Sequence, residues 1–312
     1  MILIAGIPSE GPVRFLIEAA EAAGLPFVVF DQHRAHTYDL SIHCLRNRIS
    51  GSIRIDAQDY ALDDFDGVFL RIMDFQSLPE RKAGSLQYVG QDAAEKSGFI
   101  HQYLLQWLDA APCRVMNRPK NGLSNLSKPY QAQLIAACGF KVPPTCVTNN
   151  AAAAMAFKQR WGEVIFKSVS SARSIVKELD GVDMLQLERI RYLPTQFQQK
   201  LSGVNIRVHV AGDVLFATKA DTEVVDYRYS GREGGSLELT PFELPPEVQT
   251  RCFELAGVLN LPLCGIDLFR SNDGDYYCFE SNPSPGYSFF QEATRQDIAG
   301  AIVRWLDKGT FS

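Results

Sequence analysis

The residues from which chemistry can first be read are Asp267 and Glu280. The stretch Cys264–Arg270 (Cys-Gly-Ile-Asp-Leu-Phe-Arg) has the pattern of a strand, and Asp275–Ser281 (Asp-Tyr-Tyr-Cys-Phe-Glu-Ser) reads as the next one. Between them stands Asp273-Gly274, the kind of dipeptide preferred in two-residue hairpin turns. A turn at Asp273-Gly274 pairs Asn272 with Asp275 and, counting back along the ladder, Asp267 with Glu280. Opposed residues carry Cβ atoms roughly 5 Å apart, and strand alternation puts Asn282 on the face of Glu280. Two carboxylates that close repel unless a cation or a proton joins them. Oxygen ligands of this type suit magnesium, which binds through one or two carboxylates together with substrate phosphates. An acidic hairpin facing solvent is the alternative. The chain leaves the second strand through Glu280-Ser-Asn-Pro-Ser-Pro-Gly286, and so rigid an exit favours a site built at a strand end. On this reading Asp267→Asn or Glu280→Gln relieves repulsion and leaves the metal-free fold intact.

Other side chains could act on the same ligand. Lys128 opens a helix, and Lys167 ends the apolar strand Val164–Lys167. An ammonium there needs either a partner, such as a triphosphate, or a route to solvent. The segment Ser168–Ser174 could offer hydroxyl and backbone donors to phosphates, or be an ordinary loop. Asn205, Arg207 and His209 alternate on one face of a strand, with Val204, Ile206, Val208 and Val210 on the other. Arg207 suits a forked contact with an oxyanion, a solvated strand face being the alternative. Arg228, in Asp226-Tyr-Arg228, is a candidate for holding a substrate carboxylate; a surface arginine in a loop is the other reading. His33, His36, His43 and Cys44 invite zinc, but their spacing fits no compact metal pattern and the segment reads as a polar loop. Gly6 and Gly11 resemble half a P-loop without its Lys-Ser/Thr, so they are read as shaping a crevice at a strand end.

The elements that must position these residues follow from the pattern. The chain of 312 residues, 46% hydrophobic and 21% charged, is long enough for two domains or one elaborated α/β domain. A net charge of −5 argues against nucleic-acid binding through bulk positive charge. No apolar run reaches the ~20 residues of a membrane span, and no signal peptide is seen. Seven scattered cysteines without a Cys-x-x-Cys pair fit buried thiols in a reducing cytoplasm. Ile2–Ala5, a helix from Val13 to Ala23, and Phe27–Phe30 predict a β-α-β opening and hence a parallel sheet, to which Asp66–Arg71 adds a strand. Helices are expected over Phe99–Asp109, Lys128–Ala137, Asn150–Trp161, Glu247–Leu259 and Asp297–Leu306, and strands over Val164–Lys167, Phe197–Leu201, Asn205–Val210 and Val214–Lys219.

Taken in order, these segments resemble an ATP-grasp enzyme. The resemblance is carried by Ser127-Lys128, Gly139-Phe-Lys-Val-Pro-Pro-Thr145, Val164–Lys167, Phe197–Gly203, Asn205-Ile-Arg207, Gly265-Ile-Asp267 and Glu280–Gly286, covering roughly residues 115–305. Within that superfamily the chain is similar to the ribosomal-protein glutamate ligase branch and to the microviridin-type graspetide ligases, partly through Asp226-Tyr-Arg228. The resemblance implies an α/β and α+β protein. An N-terminal parallel-sheet pre-ATP-grasp domain (1–114) would precede an ATP-grasp fold of two α+β subdomains, a central lid (115–196) and a C-terminal one with the metal site (197–312). It implies that Lys128 and Lys167 contact nucleotide phosphates, that Gln198, Gln199, Lys200 and Leu201 line adenine, and that Asn205 lies near the ribose. Asp267, Glu280 and Asn282 would hold Mg2+, and Arg207 would face the transferred phosphate. The hinge has Gln199 where an acidic residue is common, and Ser168–Ser174 lacks the usual glycines. The implied activity is a cytoplasmic, ATP- and Mg2+-dependent ligase joining a carboxylate of an amino acid or peptide to an amine through an acyl phosphate. Ester or amide cross-linking of a peptide is one alternative, and a kinase or a non-catalytic nucleotide-binding protein is another. No nucleic-acid or membrane partner is implied, and a homodimer is compatible with this reading.

Overall fold

The computed structural model describes residues 1–168, 177–179, 187–222 and 237–309. The first layer is a parallel sheet in the order β2-β1-β6-β7, formed by β1 (Ile2–Gly6), β2 (Phe27–Asp31), β6 (Gly67–Arg71) and β7 (Arg114–Met116). The sequence Ile-Leu-Ile-Ala-Gly is buried along its whole length because β1 is central and covered on both sides. On one side Leu3, Phe30 and Val68 pack on helix α2 (Gln91–Ala110) through Ile100, Leu104 and Trp107. On the other, Ile2, Ile4 and Phe69 meet α1 (Gly11–Ala22) and two C-terminal helices, α6 (Ser288–Thr294) and α7 (Ile298–Lys308). Arg114 fastens this end of the chain by donating to the carbonyls of Leu306 and Asp307 at the end of α7.

The segment read as a polar loop is structured. His33 and His36 lie in a 3₁₀ turn, and residues 39–61 form an antiparallel sheet of β3 (Asp39–Leu45), β4 (Arg48–Ile55) and β5 (Gln58–Ala61). Gly6 and Gly11 also serve packing. A Cβ on Gly6 would stand 2.7 Å from the Arg71 carbonyl oxygen, and one on Gly11 would stand 2.5 Å from Ser288 Oγ.

A second sheet, in the order β10-β9-β11-β8, is made of β8 (Thr145–Thr148), β9 (Val164–Ser168), β10 (Lys177–Glu178) and β11 (Thr195–Gln199). Helix α4 (Ala151–Trp161), capped by the Asn150 side chain, covers one face through Ala151 and Ala154 against Val164 and Phe197. The third sheet is antiparallel, β14-β13-β12-β15-β16, comprising β12 (Gly203–Ala211), β13 (Val214–Thr222), β14 (Leu237–Pro241), β15 (Leu263–Ser271) and β16 (Tyr276–Asn282). Its apolar face, with Ile206, Val208, Val210, Ile266 and Leu268, packs on α3 (Lys128–Ala137) and α5 (Pro246–Leu259).

Of the boundaries expected from sequence, that at 114/115 falls inside β7 and that at 196/197 inside β11, which pairs with β8 and β9 along its length. Among the described residues no helix is long and apolar enough to cross a membrane. The cysteines are free, with Cys138, Cys252, Cys264 and Cys278 buried. Asn117 joins the layers. Its amide donates to the carbonyls of Leu263 (2.5 Å) and Pro283 (2.6 Å) and accepts from Leu263 N (3.0 Å). Asn117→Ala strands these buried groups, at roughly 1–3 kcal/mol for a buried unsatisfied group, and should cost about 3 kcal/mol in urea unfolding. A loss below about 1 kcal/mol would show that the junction does not depend on it.

Candidate active site

Asp267 on β15 lies directly across from Glu280 on β16. The route to this pairing differs from the one expected. The turn is Asn272-Asp273-Gly274, closed by Ser271 N to Asp275 O and Gly274 N to Ser271 O, both 2.9 Å, with Gly274 at φ 88°. A three-residue turn of this kind needs a left-handed residue, which glycine supplies. It shifts the ladder by one, so that Leu268 faces Cys278 and Phe269 faces Tyr277. A bulge between Leu268 and Asp267 absorbs Phe279 and restores the shift. Without it Asp267 would face Phe279, and the Glu280 side chain would fall on the apolar face.

Neither carboxylate is left to repel the other, which corrects the expectation from sequence. Arg207, across from Asp267 on β12, donates from Nη1 to Asp267 Oδ1 at 2.5 Å, and both side chains are largely buried. Lys128 Nζ donates to Glu280 Oε2 at 2.6 Å and to Asn125 Oδ1 at 2.9 Å. A lysine in the first turn of a helix opposes the helix dipole, and Glu280 offsets that cost. Helix α3 is held there by Gln131, one turn further on. Its amide exchanges two hydrogen bonds with the backbone of Ser281 (2.8 and 3.1 Å), standing in for a neighbouring strand at the sheet edge.

Gly265 opens space for the arginine. A Cβ there would lie 1.9 Å from Arg207 Nη2 and 2.7 Å from Pro285 Cβ. Asn282, across from Gly265, shares the face of Glu280, and its Oδ1 accepts from Ser284 N at 3.0 Å, fixing the exit turn while keeping a second lone pair. Two carboxylates and an amide oxygen on one face are a donor set for a hard cation such as Mg2+. Among the described residues no group of three or more His, Cys, Asp or Glu comes together. Burial pushes the Cys264 thiol up to about 11 and the Cys278 thiol well above its ordinary value, so neither is a nucleophile here.

The remaining candidates divide by sheet. Asn205 is on β12, on the face of Arg207. Lys167 pairs with Gln196, and Gln198 lies two residues on, so these three share the face of their sheet that points away from α4. Gln198 Nε2 donates to Thr145 Oγ1 at 3.0 Å. Gln199 N and Lys200 N donate to Pro144 O and Glu163 O, and Lys200 Nζ pairs with Glu178 at 2.8 Å. β11 ends at Gln199, so Lys200 and Leu201 lie beyond the strand that was expected to include them. Residues 169–174 and Asp226-Tyr-Arg228 are outside the described residues.

Sequence reasoning missed Glu10 and Arg71. Arg71, at the carboxyl end of β6, takes Glu10 at 2.7 Å and donates from Nη1 to the carbonyls of Ser284 (3.1 Å) and Pro285 (3.0 Å). It ties the parallel sheet to the turn after Asn282. These pairings are between residues far apart in sequence, and no local pattern signals them.

Residues 127–306 match the RimK-like ATP-grasp domain. The chain belongs to this family. A probable alpha-L-glutamate ligase of Hydrogenovibrio crunogenus is 25% identical over 95% of this chain and 91% of its own length. One of Stutzerimonas stutzeri is 31% identical over 47% of this chain and 46% of its own. Among solved structures, the ATP-grasp ligase PsnB complexed with minimal precursor is similar over 99% of both chains, at 25% identity and a TM-score of 0.77. A RiPP-associated ATP-grasp ligase of Chryseobacterium gregarium, in complex with ADP and leader and core peptides, has the same fold at a TM-score of 0.80 and 21% identity, over 99% of this chain and 97% of its own.

The RimK-like site thus holds two ion pairs of unequal burial, and they should respond differently to neutralisation. Asp267→Asn, which removes the carboxylate charge paired with a buried guanidinium, should lower stability by about 3 kcal/mol in urea unfolding, and Glu280→Gln, beside a more exposed lysine, by under about 1 kcal/mol. Adding Arg207→Met to Asp267→Asn should recover most of the loss. Equal losses for the two single variants would contradict this account of the charges.

Proposed function

We propose that the chain is an ATP- and Mg2+-dependent ligase that joins a carboxylate to an amine by way of an acyl phosphate, releasing ADP. The observation that carries this reading is the cross-strand pair Asp267–Glu280, each member neutralised by a cation from another element, within a RimK-like ATP-grasp domain. Asp267, Glu280 and Asn282 would hold the metal ion. Mg2+ bound there supplies Lewis-acid neutralisation of the charge on the transferring phosphoryl group. Lys128 would pass from Glu280 to the nucleotide phosphates, with Lys167 as the second phosphate contact. Gln198 and the stretch Gln199-Lys200-Leu201 would line adenine, chiefly through carbonyl oxygens and Leu201, since the N–H groups of Gln199 and Lys200 are engaged. Asn205 would lie near the ribose.

The chemistry is positioning and charge stabilisation more than covalent catalysis. The substrate carboxylate oxygen attacks the terminal phosphorus, and the bond to the departing ADP breaks. Arg207, held beside that centre, would stabilise charge on the equatorial oxygens. The amine then attacks the acyl carbon and phosphate leaves. Arg228 would hold the substrate carboxylate.

A peptide is the substrate form we favour. PsnB, similar over the whole chain, is described in complex with a precursor. A crevice of about 320 Å3, within the range of small-ligand sites, supports an acceptor group beside the metal hairpin. It lies at the carboxyl end of β6, with walls from Met73, His101, Leu105, Pro283 and Ser284. Ligands of open parallel sheets bind at that end, where the strand order reverses, and here β1 is flanked by β2 on one side and β6 on the other. Burial lowers the His101 pKa, keeping its ring neutral, and the Gln32 amide, locked by both backbone groups of Met73, lies 3.3 Å from His101 Nδ1.

With amino acids, dipeptides and precursor-type peptides as substrates, ADP should appear in step with product, and hydroxylamine should divert the activated carboxylate to a hydroxamate. Stoichiometric AMP and pyrophosphate would overturn the mechanism, and phosphate retained on the substrate would make the chain a kinase. Leu105→Trp, which narrows the crevice, should raise the acceptor KM by ~10-fold or more while the ATP KM stays put, a loss comparable to removing ~1.4 kcal/mol of binding. If both constants rise together, the acceptor binds elsewhere.

A further inference from the structure

Arg207 is buried, and besides its charge partner Asp267 it meets groups that no charge argument requires. Its Nη1 meets Asp267, its Nη2 occupies the space left by Gly265, and the Phe290 ring centroid lies 6.0 Å from its Cζ. Behind it, on the same face of β12, is His209, which is 0% exposed. The imidazole packs on Phe290 with centroids 4.9 Å apart, and its Nε2 lies 3.5 Å from Arg207 Nε, in position to accept. Burial, and then the neighbouring guanidinium, hold the ring well below its ordinary pKa, so it stays neutral. A neutral imidazole carries one proton and one lone pair. With the lone pair on Nε2 facing Arg207, the proton sits on Nδ1. That atom is buried without a well-aligned partner, although the Gly286 backbone bears on the ring. An apolar residue would fill this space without stranding a buried nitrogen. The placement of an imidazole here therefore needs a reason beyond packing.

We propose that His209 is a positioning residue for Arg207, its Nε2 accepting from Arg207 Nε so that the guanidinium stays on the metal-facing side when Asp267 turns to the cation. The proposal rests on the reading of Arg207 as the phosphoryl-facing group. In the resting state Asp267 and His209 hold the arginine together. If Asp267 ligates the metal, its hold on the arginine weakens, and His209, Phe290 and the wall formed by Pro285 and Gly265 would help to keep the guanidinium in place. Phe290 belongs to α6, which packs on α1, so the cradle is anchored on the N-terminal layer.

The test uses the full chain and the substitutions His209→Leu, His209→Gln and His209→Ala, with Arg207→Lys to assign the arginine signal. Nitrogen NMR should show His209 as the neutral Nδ1–H form throughout the accessible pH range. The Arg207 Nε–H resonance should shift in His209→Leu and return towards its wild-type position in His209→Gln, whose amide oxygen can accept. This readout does not depend on turnover, so it stands even if the ligase reading fails. In the working reaction, His209→Leu and His209→Ala should lower kcat by ~10–100-fold, the scale of an ~1 Å misplacement, with the ATP KM changed less than about threefold. His209→Gln should recover most of kcat. Leu should keep the melting temperature better than Ala without restoring activity. An Arg207 Nε–H signal unmoved in His209→Leu, or full turnover by that variant, would reduce His209 to a packing residue and overturn the proposal.

Discussion

The structure turns on one electrostatic constraint, the placing of two carboxylates side by side on a sheet. At ladder distance the uncompensated repulsion between Asp267 and Glu280 would cost on the order of 3 kcal/mol, a large share of a domain's stability. The chain compensates from two directions. Arg207 comes from the neighbouring strand and is buried; Lys128 comes from a helix docked on the sheet edge. The difference in origin matters. The arginine is fixed by its strand and its cradle, whereas the lysine stands on a long, half-buried side chain at a helix start, where an anionic ligand is itself favoured. On the proposed reading, an anion arriving at α3 would draw the lysine towards itself and loosen its hold on Glu280, which would couple the binding of metal and phosphate through one ammonium group.

That arrangement depends on register, and register depends on two one-residue offsets that cancel. The three-residue turn and the bulge at Phe279 each displace the ladder by one, and only together do they bring Glu280 opposite Asp267. Bulges recur where a side chain must be re-aimed, and this one lies between the edge contacts made by Lys141 on Cys278 and by Gln131 on Ser281. The outer edge of β16 is therefore occupied above and below the bulge, which stops the strand from slipping into the regular register.

Much of this was legible in the sequence, though not all for the right reason. The facing of Asp267 and Glu280 was expected from a two-residue turn that the chain does not make; two opposite offsets cancel. The helix Lys128–Ala137 and the alternation Asn205-Arg207-His209 follow directly from local pattern. The small sheet over residues 39–61 reads in sequence as a polar loop, because the alternation Leu40, Ile42, Cys44 is short and interleaved with polar residues. The partners of the carboxylates could not be read, because Arg207–Asp267 and Lys128–Glu280 close over 60 and 152 residues. Nor could the ends of β11, where Thr195 and Gln196 precede the expected strand Phe197–Leu201.

The contacts around the exit turn explain why an N-terminal layer with no motif of its own belongs to the site. Pro283-Ser-Pro-Gly286 has few side-chain atoms with which to hold itself, yet Asn282 must stay in place beside Glu280. Its carbonyls are taken by Asn117 and Arg71, and Tyr287, just beyond, donates to the Pro12 carbonyl at the start of α1. All of these anchors except the turn itself come from the first 117 residues. The same turn walls the crevice next to β6. A group bound in that crevice would press on the segment that fixes Asn282, so recognition of an acceptor and the geometry of the charged centre share one short piece of backbone. On the proposed reading, the sheet bearing Arg207 and Asp267 would supply charge, and the parallel sheet, which holds the exit turn, would supply both the support for that charge and the surface that selects what reacts with it.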